Sequence, residues 1–265
     1  MHRFIYIFLL EYPIVIGLAS LVFVVSHFSE PIHKQFMVSD PSIRYPFVLN
    51  EHVSPIVCGL LVLVLPTIIM GVIVFRRLER MLPDKQGTFL AVCSVLSLML
   101  SISLSGAVSG TLKIWIGGLR PDFLARCGPK YTTTPSTFAD ITICTAPYGT
   151  TVLREGMRST PSGHACAAFS GLVVFSFWLY GQFGILRKKL PLHKHVLALL
   201  PFFLAIYIAI TRIQDHRHHY FDVLFGAILG SSFAVPVYHR FFPPVWSCDS
   251  DKPYKADELS TMLPI

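Results

Sequence analysis

The chain is short of charge. Of its 265 residues, 14% are Asp, Glu, Lys or Arg, where a soluble domain carries about 25%. That deficit excludes an ordinary water-soluble domain. The hydrophobic content of 53% and mean hydropathy of +0.59 indicate a bilayer as the solvent. Asparagine is almost missing too: Asn50 stands alone and is followed by Glu51-His52, so no N-glycosylation acceptor exists. Internal repeats and a clear retention signal are also lacking. A net charge of +7 would suit nucleic acid if it were spread over one surface, but the cations fall in short clusters between apolar runs. Such clusters set the orientation of a membrane protein, so nucleic acid is excluded as a partner.

What the chain has in quantity is apolar sequence. A spanning helix needs about 20 mostly apolar residues. Six segments qualify: Ile14–Phe28 with a lead-in from Phe4, Val53–Phe75, Phe89–Lys113, Ser162–Phe183, His195–Ile210 and Tyr220–Phe242. The first is short and follows Glu11 and Pro13; it is read as a retained helix rather than a cleaved signal. The expected fold is therefore an all-α integral membrane protein of six transmembrane helices. Residues 1–242 form the membrane domain, with a catalytic core over about 89–242, and 243–265 form a flexible cytoplasmic tail. Arg76, Arg77, Arg80 and Lys85 follow the second segment, and Arg187, Lys188, Lys189 and Lys194 follow the fourth. The positive-inside bias puts both loops, and with six crossings both termini, on the cytoplasmic side.

Three groups of residues carry chemistry. Lys113 is followed seven residues later by Arg120 and then Pro121. A separation of seven puts two side chains on one helix face, and proline ends the helix near Arg120. Two cations facing one point suit a dianion, although a cationic collar at a helix end would look the same. The second group, Pro161-Ser162-Gly163-His164, opens the fourth segment. Serine suits an N-cap, and the free N–H groups of a first turn bind anions. Taken alone it also reads as an ordinary capped helix start. The third group runs from Thr211 to Asp222 and contains Arg212, His218 and Asp222. A carboxylate four residues from a histidine can orient its ring. Metal ligation by His216, His218 and His219 is the rival, but neighbouring residues on a helix point about 100° apart. Counting crossings, all three groups emerge on the side opposite the basic loops. Charged groups at membrane depth are costly and mark function.

In this order and spacing, Lys-x6-Arg-Pro, Pro-Ser-Gly-His and Thr-Arg-x5-His-x3-Asp resemble the three-part signature of the type 2 phosphatidic acid phosphatase superfamily. The likeness is strongest to eukaryotic, especially fungal, lipid phosphate phosphatases. Thr211 is the one departure, where the family usually has serine. The resemblance implies roles. His218 would be the nucleophile that forms a phosphohistidine, oriented by Asp222. His164 would be the general acid and then the base. Lys113, Arg120, Ser162, Gly163 and Arg212 would bind the phosphoryl oxygens. No metal or other cofactor is expected. The implied substrates are phosphatidate, lysophosphatidate and diacylglycerol pyrophosphate, hydrolysed without Mg²⁺ in the endomembrane system or plasma membrane, with the active site lumenal or extracellular. The alternatives are a polyprenyl or dolichyl pyrophosphate phosphatase and a catalytically silent membrane scaffold. Cys127 and Cys144 share the long non-cytoplasmic loop, and an oxidising lumen would favour their pairing, worth on the order of 3 kcal/mol.

Overall fold

The computed structural model describes residues 12–22, 24, 28–78, 84–130 and 137–254. α1 (Tyr12–Val22) is a shorter apolar helix among the described residues. The first expected span is described only in part, because its lead-in as far as residue 11, and residues 23 and 25–27, lie outside the described residues. α2 (Pro55–Gly59) passes through a π-turn at Leu60–Val64 into α3 (Leu65–Leu78). α4 (Asp84–Ile116) follows, and then a loop holding the short α5 (Phe123–Cys127) and α6 (Thr150–Glu155). α7 (Gly163–Phe183), α8 (Leu192–Gln214) and α9 (Tyr220–Phe241) complete the bundle. Five helices among the described residues are long and apolar enough to cross a membrane: the joined α2–α3, then α4, α7, α8 and α9. The fold is thus a multi-pass helical bundle in which five of the six expected crossings are described.

α7 is the central helix and packs against α4, α8 and α9. Its sequence explains this position: Ala165, Ala168, Ser170 and Gly171 leave room for neighbouring helices. Gly226 and Gly230 face it from α9, four residues apart on one side of that helix. A Cβ on Gly226 would lie 2.5 Å from the Ser162 carbonyl oxygen, and one on Gly230 would lie 2.3 Å from that of Cys166. On the other flank, α4 presents Ser94, Ser97, Ser101, Ser105 and Ser109, all buried. Ser94 Oγ accepts from buried Trp178 Nε1 at 2.8 Å, and Ser101 Oγ donates to the Ser170 carbonyl at 3.1 Å. These bonds fix the register of α4 on α7.

The loops at the N-terminal end of α7 form a small cap. β1 (Phe36–Met37) pairs antiparallel with β2 (Phe138–Ala139). Phe36, Ile43, Phe123, Leu124 and Met157 make its separate apolar core. Cys127 and Cys144 are joined by a disulfide. At the other end of the bundle, the segment expected to be a flexible tail packs as far as residue 254. Ser250 is buried and its Oγ donates to the Gly181 carbonyl, Gln182 Nε2 donates to the Asp251 carbonyl, and Tyr254 N donates to the Phe241 carbonyl. The turn at residues 243–254 therefore satisfies carbonyl groups at the ends of α7 and α9, which composition alone did not reveal. Residues 255–265 lie outside the described residues.

Two outcomes are expected. Gly230→Ala should lower the melting temperature of the detergent-solubilised protein, corresponding to about 1–3 kcal/mol of overpacking; an unchanged melting temperature would contradict the close approach of α7 and α9. Thiol labelling of the unfolded, non-reduced protein should modify four of its six cysteines, and all six after reduction.

Candidate active site

A cavity of about 400 Å³ opens at the end of the bundle where α4 finishes, α7 begins and the α8–α9 turn lies. Its wall includes Lys113, Arg120, Gly163, His164, Arg212 and His218, which the sequence assigned to three separate motifs. Five cations line it, the two beyond those motifs being Arg126 and Arg217, against two carboxylates, Glu51 and Glu155. Asp222 and Ser162 sit behind the wall, both buried.

The path by which Lys113 and Arg120 meet differs from the expected one. α4 ends at Ile116, not near Arg120, because Gly117 turns left-handed with φ 57°. Gly117 also packs where a Cβ would meet the Ile32 carbonyl oxygen at 2.2 Å, so glycine is required there. The chain then reverses, and Arg120 N donates to the Gly156 carbonyl at 2.8 Å. The two cations share the cavity through this turn rather than one helix face. Lys113 Nζ donates to the Arg158 carbonyl at 2.9 Å. Burial first, and the neighbouring Arg126 guanidinium second, push Arg120 down to about 10, which leaves it charged at neutral pH.

Ser162 occupies the N-cap position of α7 but caps nothing with its side chain. Its buried Oγ has no hydrogen-bond partner among the described residues, and neither has His164 Nε2. A hydroxyl and a ring nitrogen left unsatisfied beside a helix N-terminus are ready for an oxyanion. Gly163 lines the cavity, and a Cβ there would lie 3.5 Å from the Lys113 side chain.

His218 lies just before α9, with His219 as N-cap residue. Its Nδ1 is 3.9 Å from Asp222 Oδ2, an ion-pair separation too long for a hydrogen bond. Ser159 fills the gap. Its Oγ donates to Asp222 Oδ2 at 2.5 Å and lies 3.4 Å from His218 Nδ1. Thr160 Oγ1 donates to Asp222 Oδ1 at 2.5 Å, and His219 N donates to Asp222 Oδ2 at 2.9 Å. The carboxylate is thus held by three donors and reaches the imidazole by way of a serine. Sequence reasoning missed Ser159 and Thr160, although they directly precede Pro161 and so had to lie near His164. Burial first, and then Arg120 and Lys113, push the His218 imidazole well below its ordinary range, so it is neutral at physiological pH.

Arg212 is buried and heavily partnered. Its Nη2 donates to Asp215 Oδ2 at 2.8 Å and its Nη1 to Glu51 Oε2 at 2.6 Å. Asp215, fully buried, is gripped from the other side by His52 N at 3.1 Å and His52 Nδ1 at 2.5 Å. Arg217 pairs with Glu51 Oε1 at 3.0 Å and Asp122 Oδ2 at 3.2 Å, while Asp122 also takes two bonds from Arg126 at 2.8 Å each. Asp215 stands three residues after Arg212, so its pairing was open to sequence reasoning. Glu51 and Phe47 come from a distant loop and left no local signal. Among the described residues no three His, Cys, Asp or Glu side chains gather as metal ligands.

A profile of the PAP2 superfamily matches residues 94–246, more than half of the chain. The chain is 33% identical over 249 residues to "Probable diacylglycerol pyrophosphate phosphatase 1" of Schizosaccharomyces pombe, covering 94% of this chain and 86% of that protein. It is 34% identical over 231 residues to diacylglycerol pyrophosphate phosphatase 1 of Saccharomyces cerevisiae, covering 86% and 77%. A solved PAP2-type phosphatidylglycerolphosphate phosphatase from Bacillus subtilis aligns with 17% identity and a TM-score of 0.40, over 90% of this chain and 96% of that one.

The neutral, buried state of His218 has a consequence for stability. An unfolded imidazole takes a proton as pH falls through about 6.5, whereas the folded one resists until lower pH. The unfolded state then binds more protons, so stability falls with acid. Between pH 7 and 5 the native protein should lose up to about 1.4 kcal/mol per pH unit below 6.5 from this group. His218→Gln should flatten the curve, as measured by unfolding in detergent; parallel curves for the two proteins would contradict it.

Proposed function

The chain belongs to the PAP2 superfamily and is a lipid phosphate phosphatase, and we propose that it hydrolyses phosphatidate, lysophosphatidate and diacylglycerol pyrophosphate through a phosphohistidine on His218. The observation that carries the reading is the meeting of three sequence motifs in one cationic cavity at one end of a membrane bundle. The names of the fungal relatives support the substrate class.

Phosphoryl transfer depends on position and charge neutralisation above all. Lys113, Arg120 and Arg212 clamp the phosphoryl oxygens, and the Ser162 hydroxyl and the first amides of α7 complete the cradle. His218 faces Ser159 and Asp222 with Nδ1, so Nε2 is the attacking atom. As the N–P bond forms, the bond from phosphorus to the lipid oxygen breaks, and His164 gives its proton to that oxygen. Asp222, through Ser159, stabilises the positive charge that the ring then carries. His164, now neutral, takes a proton from water. The hydroxide formed attacks phosphorus, the N–P bond breaks, and orthophosphate leaves with both histidines restored. The fixed cations do the work that Mg²⁺ does in other phosphotransfer sites. The Ile114–Pro161 loop then faces the lumen or the cell exterior, and the basic loops face the cytoplasm, in an endomembrane or the plasma membrane.

Phosphate release from phosphatidate, lysophosphatidate and diacylglycerol pyrophosphate in mixed micelles should persist in excess EDTA. His218→Ala should lower kcat by at least about 10³-fold while the protein is still produced and folded. Full inhibition by EDTA, or wild-type turnover in His218→Ala, would sink the mechanism.

A further inference from the structure

Arg217 lies beside Arg212 in the cavity wall but outside the phosphoryl clamp. We propose that Arg217 and Arg212 together form a second anion subsite, which takes the second phosphoryl group of a lipid pyrophosphate in the place now held by the Glu51 carboxylate. This rests on the phosphatase reading above.

Glu51 itself shows that the geometry works. Its two oxygens reach Arg212 Nη1 at 2.6 Å and Arg217 Nη2 at 3.0 Å, so one oxyanion already spans both guanidiniums. The other carboxylates on these arginines, Asp122 and Asp215, are fully buried, whereas Glu51 is partly exposed and lines the cavity. Asp122 and Asp215 are therefore fixed parts of the wall, and Glu51 is the partner that an incoming anion can replace. Arg217 also keeps a donor in reserve, because its buried Nε has no hydrogen-bond partner among the described residues. The Phe47 ring lies 4.5 Å from Arg217 Cζ and holds the guanidinium against one face of the site.

Charge and room agree. Five cations line the wall against Glu51 and Glu155, with Asp122 and Asp215 bonded behind the arginines, so the site is net cationic and becomes more so when Glu51 swings away. A lipid monophosphate brings roughly two negative charges at neutral pH, and a second phosphoryl group adds about one more. At about 30 Å³ per water-sized volume, the cavity holds on the order of ten such volumes, which is enough for two phosphoryl groups. The group under attack sits among Lys113, Arg120 and Arg212, and its neighbour lies between Arg212 and Arg217 with Glu51 turned toward the open mouth.

The test compares diacylglycerol pyrophosphate and phosphatidate in the same EDTA-containing micelles. Arg217→Gln should lower kcat/KM for the pyrophosphate lipid at least 10-fold more than for phosphatidate, and Arg217→Lys should recover part of that difference. Equal losses on both lipids would overturn the proposal, since a merely structural arginine affects both alike. Glu51→Gln supplies a test of opposite sign that does not depend on how the Arg217 variants fold. It should lower the inhibition constant of inorganic pyrophosphate several-fold and move that of orthophosphate less. An unchanged or raised constant for pyrophosphate would also overturn the proposal. If the wild-type protein hydrolyses neither lipid, the phosphatase reading fails. Direct binding of inorganic pyrophosphate to wild-type and Glu51→Gln protein then decides the subsite on its own.

Discussion

The Asp222 carboxylate is the point on which the cavity end of the bundle depends. It sits in the first turn of α9, yet two of its three donors, Ser159 and Thr160, belong to the segment leading into α7. Its own backbone carbonyl accepts from Ser162 N at 2.9 Å. One buried residue thus pins the start of α9 to the start of α7, and these starts carry His218 and His164. A charge buried this deeply is tolerable only with several donors around it, because an unpaired carboxylate costs several kcal/mol. The same bonds that meet this cost also set the spacing of the two histidines.

A second constraint is electrostatic. Five cations around one cavity would repel each other strongly in a low-dielectric setting. The structure offsets this with Asp122 and Asp215, both inaccessible to water, behind the arginines, and with Glu51 and Glu155 in the wall. The arginines are therefore held in place by the wall itself, and an anion entering the cavity would meet donors already aimed. The loop that brings Glu51 and Phe47 joins a strand of the cap to α2, so the cap helps to hold the charge pattern.

The motifs and most of the bundle were legible in the sequence. Long apolar runs announce helices irrespective of partners, which is why α4, α7, α8 and α9 fall close to their expected bounds. Lys113, His164, Arg212 and His218 could be grouped because crossing counts fix which end of a helix they occupy. Contacts made by distant loops could not be read this way: Glu51 and Arg212 are 161 residues apart in the chain. The end of α4 was misplaced because Pro121 was taken as the stop, when Gly117 turns the chain earlier. The packed turn at 243–254 was missed because its polar composition resembles that of a loose tail, and only its bonds to Gly181, Gln182 and Phe241 distinguish it.

The glycine contacts between α7 and α9 also bear on how a lipid can lie against this protein. Where a Cβ has no room between two backbones, an acyl chain has none either. The seam at Gly226 and Gly230 is closed to hydrocarbon for at least one helical turn directly below the two histidines. A diglyceride whose phosphate occupies the cavity must run its chains out on another flank. The Pro55 end of α2 borders the same cavity, and the span it opens is the least enclosed of the five. Tight packing on one side of His218 thereby gives the bundle a front and a back with respect to the bilayer.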